Sequence, residues 1–150
     1  MTKYLLDTNI FSYLFRERTQ QTNHPVKCKL EKALRANAQI LVCPVVFYEV
    51  VRGLYQRDTR KDLQYFLLLI KQFEWCEFGR ETWDSAAQLW AKYKPSAVKN
   101  ETENDDKKNI DADVLIAAQV REQDAILVTN NTKHFKHFGI TPEDWSARTS

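Results

Sequence analysis

Short apolar runs alternate along this chain with longer stretches in which apolar residues recur at helical spacing. Tyr4-Leu5-Leu6 stops abruptly at Asp7-Thr8-Asn9, and Phe11, Tyr13, Leu14 and Phe15 then follow as on one face of a helix. A strand feeding a helix is predicted. Pro25 closes a polar stretch, and Val26, Leu30, Ala33 and Leu34 give a second helix over residues 26–36. Residues 39–43 form a β-prone run halted by Pro44, followed by a helix over 45–55 that carries Glu49, Arg52 and Gly53. A helix over 60–72, a third strand over 75–78 and an amphipathic helix over 81–93 continue the pattern. Residues 110–121 return to helix, 125–128 form the cleanest strand, and Thr129-Asn130-Asn131 opens a short helix ending near Phe138-Gly139.

Strands that are short, apolar on both faces and separated by helices describe a parallel sheet covered on each side. The segment at about 94–109 departs from the pattern, with Asn, Glu, Asp and Lys densely mixed around Pro95, and reads as a mobile polar loop within a single domain spanning 1–150. Too little chain follows it for a second self-sufficient core.

Composition adds exclusions. At 150 residues, 43% hydrophobic and 12% aromatic, the chain can bury a full core, so disorder and fibrous classes are set aside. Its longest apolar run, residues 65–70, is far short of the roughly 20 residues of a membrane span. No signal-peptide pattern is visible, so a soluble, cytoplasmic protein without membrane attachment is expected. Cys28, Cys43 and Cys76 lack the C-x-x-C spacing of a zinc site and do not suggest a disulfide framework. The net charge of +2 conceals an asymmetry: residues 1–75 hold 12 Lys/Arg against 7 Asp/Glu, and residues 76–150 hold 10 against 13. That permits a nucleic-acid partner without requiring one.

Ligands of open α/β sheets gather beyond the carboxyl ends of the strands. Three acids stand there. Asp7 directly follows the first strand, Glu49 lies in the helix after the second, and Asp113 precedes the last strand near the start of its helix, each amid apolar sequence. Singly, Asp7 reads as an N-cap, Glu49 as a surface acid pairing with Arg52, and Asp113 as a first-turn acid. Together they would repel one another unless a cation sat among them, and oxygen-only ligands suit Mg²⁺ or Mn²⁺. A phosphoaspartate hydrolase would need a second Asp two residues after the first, where this chain has Asn9.

Four ordered segments, Tyr4-Leu5-Leu6-Asp7-Thr8-Asn9-Ile10, Tyr48-Glu49-Val50-Val51-Arg52-Gly53, Asp113-Val114-Leu115-Ile116-Ala117-Ala118 and Ile126-Leu127-Val128-Thr129-Asn130-Asn131, resemble the motifs of PIN-domain ribonucleases, most closely the VapC-type toxins of type II toxin–antitoxin systems. The resemblance covers nearly the whole chain. It implies a three-layer α/β/α sandwich with a central, mainly parallel sheet, and a metal-dependent endoribonuclease in which Asp7, Glu49 and Asp113 hold Mg²⁺ or Mn²⁺ and a metal-activated water cuts the phosphodiester. Thr8 and Thr129 match small hydroxyl positions beside those acids. It also implies an RNA substrate, a cognate antitoxin and a homodimer.

Two departures from the family's pattern stand out. Asn131 and His134 occupy the places where relatives often have a fourth carboxylate, so a second metal would lean on a neutral amide there, and His134 reads as a solvated helix residue. Cys43-Pro44 stands where many relatives have Ser. Asp111 is the alternative to Asp113, but a helix turns about 200° between positions i and i+2, so both cannot face one site; Asp113 fits the family's register and Asp111 is a runner-up ligand or a cap.

Cations that could meet phosphates include Arg52, which could also orient Glu49, and the lysines of the second helix, which otherwise read as a solvated face. The apolar helix at residues 65–70 suits either the core or a contact with a partner. Alternative functions are a non-catalytic PIN-like module that binds RNA or protein, and a housekeeping RNA-processing nuclease.

Overall fold

The computed structural model describes residues 1–93 and 104–147, and side chains there except in 104–110. Its elements run β1 (Lys3–Leu6), α1 (Thr8–Gln20), α2 (Pro25–Arg35), β2 (Gln39–Val42), α3 (Pro44–Gln56), α4 (Arg60–Ile70), β3 (Glu74–Trp75), α5 (Arg80–Lys92), α6 (Asn104–Gln123), β4 (Ile126–Val128) and α7 (Thr132–Lys136). The strands form one sheet in the order β3-β2-β1-β4, with every neighbouring pair parallel. Tyr4 stands beside Ile40 on one side and Ile126 on the other. The α/β class and a parallel sheet flanked by helices are therefore as the sequence predicts.

Burial explains the register. Leu5, Leu6, Leu41, Leu127 and Val128 are all nearly inaccessible, because helices cover both faces of these strands. Among the helices, α3 buries Val46, Val50 and Leu54, four residues apart, leaving Glu49 on the flank of the buried stripe. Pro44 opens that helix where its missing N–H has no consequence. Phe66 of α4 is fully buried, its ring 5.1 Å from Phe11 and 6.0 Å from Phe47, whereas Leu67 and Leu68 beside it are exposed. The apolar segment at 65–70 is thus divided between core and surface.

Glu17 anchors the turn from α1 to α2. It is a buried carboxylate that accepts from the backbone N–H and hydroxyl of Thr22 and from the N–H groups of Asn23 and His24. These bonds, the Thr22 hydroxyl foremost, hold its pKa down at about 2. Gln21 and Asn23 take left-handed backbone conformations within the same turn.

Two expectations change. The third strand is Glu74–Trp75 instead of 75–78: Cys76 N–H still donates to Val42, but the Glu77 carbonyl accepts from the Gln119 side chain, and pairing ends. Helix α6 begins at Asn104 instead of Ile110, which removes 104–109 from the expected polar loop. The Asn-Asp-Asp sequence at its start suits a helix N-terminus, where acids complement the macrodipole. Residues 94–103 of that expected loop lie outside the described residues. Among the described residues, no helix is long and apolar enough to cross a membrane.

Candidate active site

Strand order reverses between β1 and β4. The chain moves from β1 outward to β2 and β3, then returns to the far side of β1, so a crevice opens beyond the carboxyl ends of β1 and β4. Asp7 leaves β1 there and Thr129 leaves β4. The two are clamped together: Asp7 N–H donates to the Val128 carbonyl at 2.9 Å, and Thr129 Oγ1 donates to Asp7 Oδ2 at 2.8 Å.

Asp7 caps α1, its Oδ1 accepting from Thr8 N–H at 2.8 Å. Asn9 adds a third donor, its Nδ2 lying 3.1 Å from Asp7 Oδ2, while its Oδ1 accepts from Asn130 N–H. Despite these donors the Asp7 pKa is pushed up from 3.8 to about 6. Burial is the main cause, since the residue is only 5% exposed, and the hydrogen bonds from Thr129 and Thr8 offset it in part. The like charges of Asp113 and Glu49 add to the rise.

Thr8 links the first acid to the second. It is the first residue of α1, and its hydroxyl donates to Glu49 Oε1 at 2.8 Å. Arg52, one turn along α3, reaches 3.9 Å from Glu49 Oε2 and stacks its guanidinium over the Tyr48 ring at 5.0 Å. With its side chain 55% exposed, Arg52 contributes little to stability through that pair and is available to an incoming group. Asp113 projects from α6, and its Oδ2 lies 2.7 Å from His134 Nε2 of α7.

Asp7, Glu49, Asp113, Thr8, Thr129 and Arg52 therefore gather at one end of the sheet. Asp111 is exposed and lines a cavity with Trp83 and Trp90, apart from the pairing of Asp113 with His134. Asn131 is exposed at the start of α7, where its side chain makes no capping bond. Two participants escaped the sequence reading. His134 is not the solvated residue that the sequence suggests but pairs with Asp113, and Asn9, whose signal is its position two residues after Asp7, binds both Asp7 and Thr129.

Whether these residues suit a divalent ion follows from the donor set. Among the described residues, no group of three His, Cys, Asp or Glu is already arranged around one point. Each acid is held instead by a protein donor: Asp7 by Thr8, Asn9 and Thr129, Glu49 by Thr8, and Asp113 by His134. Their chemistry fits a hard cation, being oxygen-based and anionic, with a carboxylate whose ionised form is disfavoured by burial first and by its like-charged neighbours in addition. A cation would relieve that penalty.

Two cavities flank Glu49. One, of about 360 Å³, is walled by Tyr48, Phe78, Trp83 and Leu115 and reaches Glu49 and Arg52. The other, of about 230 Å³, lies between α1 and α3. A larger cavity, of about 640 Å³, lies against Met1, Tyr4 and Trp145 and is lined by none of Asp7, Glu49 and Asp113.

No curated protein matches this chain by sequence. Solved structures match its fold. The VapBC2 complex of Rickettsia felis bound to a promoter DNA fragment aligns with a TM-score of 0.75 at 21% identity, covering 96% of this chain and 99% of that one. The DNA-bound VapBC of Salmonella typhimurium aligns at 0.74 and 18% identity, covering 97% and 99%. A toxin–antitoxin complex of Klebsiella pneumoniae aligns at 0.59 and 22% identity, covering 88% and 89%. The family profile of the PIN domain matches residues 4–140, nearly the whole of the folded sheet and its helices, and the chain belongs to the PIN-domain family.

Proposed function

We propose that this chain is a Mg²⁺- or Mn²⁺-dependent endoribonuclease, the toxin of a toxin–antitoxin pair. The observation that carries the reading is the buried Asp7 at the switch point of the sheet, with the charges of Glu49 and Asp113 bearing on it. PIN domains are typically nucleases and generally bind divalent metals, in keeping with this donor set.

Asp7, Glu49 and Asp113 would hold the ion. When bound, it supplies activation of the attacking water and neutralises charge on the phosphate oxygens. Thr129 and Asn9 fix the Asp7 carboxylate, and Thr8 fixes Glu49, so the acids meet the substrate already oriented. Arg52 meets the non-bridging oxygens of the phosphate, and its stacking on Tyr48 limits its freedom. His134 positions Asp113.

The solved relatives are complexes, and we extend that assembly to this chain. An antitoxin segment with apolar side chains would occupy the cavities walled by Tyr48, Trp83 and Trp90, and the exposed Leu67 and Leu68 would serve a homodimer.

Incubation of the purified chain with single-stranded RNA tests the reading. Discrete fragments are expected with Mg²⁺ or Mn²⁺ and none in EDTA, and Asp7→Asn, Glu49→Gln and Asp113→Asn should each abolish them. Cleavage undiminished by EDTA would remove the metal. Binding without cleavage under every metal condition would make the chain a non-catalytic module instead.

A further inference from the structure

Gly53 occupies the last turn of α3, where glycine is less favourable than alanine. Nothing in the fold requires it there. Its φ is not positive, and a Cβ built at this position meets no atom within 4 Å. Neither a strained backbone nor a close helix crossing explains the residue.

What a side chain at Gly53 would fill is the cavity of about 230 Å³ between α1 and α3. This groove runs from Thr8 and Glu49 past Ser12 to Gln56 and Arg57. Phe15 and Val50 also line it, and beside them it offers hydroxyl, amide and guanidinium donors in sequence outward from the acid cluster. Arg57 is exposed at the end of α3 and forms no ion pair among the described residues. The cavity on the other side of Glu49 is aromatic by contrast. A chain of phosphates and sugars matches the donors of this groove, because hydroxyls and amides satisfy phosphate and 2′-hydroxyl oxygens, a guanidinium matches one phosphate charge, and the Phe15 and Val50 surface suits the faces of the sugars.

We propose that the α1–α3 groove seats the sugar-phosphate backbone of single-stranded RNA next to the phosphate being cut, with Gly53 keeping it open and Arg57 meeting a phosphate. This rests on the ribonuclease reading. Gly53 and Arg57 are positioning residues here, since neither reaches the acid cluster.

The test uses the purified chain and a fluorescein-labelled, single-stranded RNA of mixed sequence with Mg²⁺ at several salt concentrations. Gly53→Leu fills the groove with a good helix former, so it should raise KM by about tenfold with kcat within about twofold, and should not lower the melting temperature. Its stabilisation by Mn²⁺ should equal the parent's. Arg57→Gln should reduce the slope of log affinity against log salt by about 0.7, one phosphate on a single strand. Unchanged KM in Gly53→Leu together with an unchanged slope in Arg57→Gln would overturn the groove while leaving the nuclease intact. If the parent does not cleave, anisotropy of the same RNA decides: weaker binding by both variants supports the groove, and parent-like binding, or none by the parent, overturns it.

Discussion

Replacing Asp7 with Asn should make the metal-free protein more stable, contrary to the usual effect of altering a buried, hydrogen-bonded residue. Holding this carboxyl at a pKa of about 6 instead of 3.8 corresponds to about 3 kcal/mol against its ionised form at neutral pH. Asparagine removes the charge and keeps an oxygen for Thr8 N–H. Its amide nitrogen, however, must face Asn9 Nδ2 and Thr129 Oγ1, both donors to Asp7 Oδ2. Thr129 Oγ1 already accepts from Asn9 Nδ2 and Asn131 N–H, and turning the Asn9 amide would break its bond from Asn130 N–H, so two hydrogen bonds are lost, about 2 kcal/mol together. A net gain of about 1 kcal/mol remains, roughly 2–4 °C in melting temperature for a chain of this size.

The pH dependence carries the same signature. The folded chain keeps the Asp7 proton up to pH about 6, whereas the unfolded chain releases it near 3.8, so folding takes up a proton between those values. The Asp7 contribution to stability therefore falls as pH rises from 4 through 6, and Asp7→Asn lacks that fall. Mn²⁺ at about 100 times its Kd adds about 2.7 kcal/mol to the parent and little to the variant, reversing their order. Thermal melts of both proteins at pH 7.5, in EDTA and in Mn²⁺, check this. An Asp7→Asn protein melting several degrees below the parent in EDTA, or rising equally with Mn²⁺, would refute the reasoning.

Asp113→Asn should abolish RNA cleavage while Asp111→Asn reduces it only modestly, because Asp111 faces the Trp83–Trp90 cavity; the reverse ranking in a gel assay would exchange their roles. With a neutral amide at Asn131, one tightly held ion is expected in the RNA-free protein, and Asn131→Asp should tighten a second site without abolishing activity. Calorimetric titration finding two high-affinity Mn²⁺ sites in the parent would contradict this. Glu17 acts in the opposite sense to Asp7: its pKa of about 2 lies below the ordinary 4.5, so its stabilisation is full above pH 4.5 and is lost as pH falls toward 2. Glu17→Gln should be less stable at pH 7 and should flatten that acid limb in melts.

The route from sequence to site was short where a signal lay in adjacent residues. An apolar run ended by Asp7-Thr8-Asn9 marks both the strand end and the helix cap, and the alternation of strands and helices is enough to predict a parallel sheet. Glu49 was legible because it stands beside Val50 in a helix whose buried residues fall four apart. The pairing of His134 with Asp113 was hidden: it depends on how α6 and α7 pack beside β4, which no local pattern encodes. Asn9 was passed over because its role is to join Asp7 to Thr129, residues that meet only when β1 and β4 pair. The bounds of β3 were not legible because its pairing ends through a side chain of α6, far along the chain.

Diffraction from crystals of the chain soaked in Mn²⁺, recorded near the manganese absorption edge, bears most directly on the metal site. A single strong anomalous peak is expected among the carboxylates of Asp7, Glu49 and Asp113. No peak there at saturating Mn²⁺, or a peak only elsewhere on the molecule, would contradict the assignment of these acids as the metal centre.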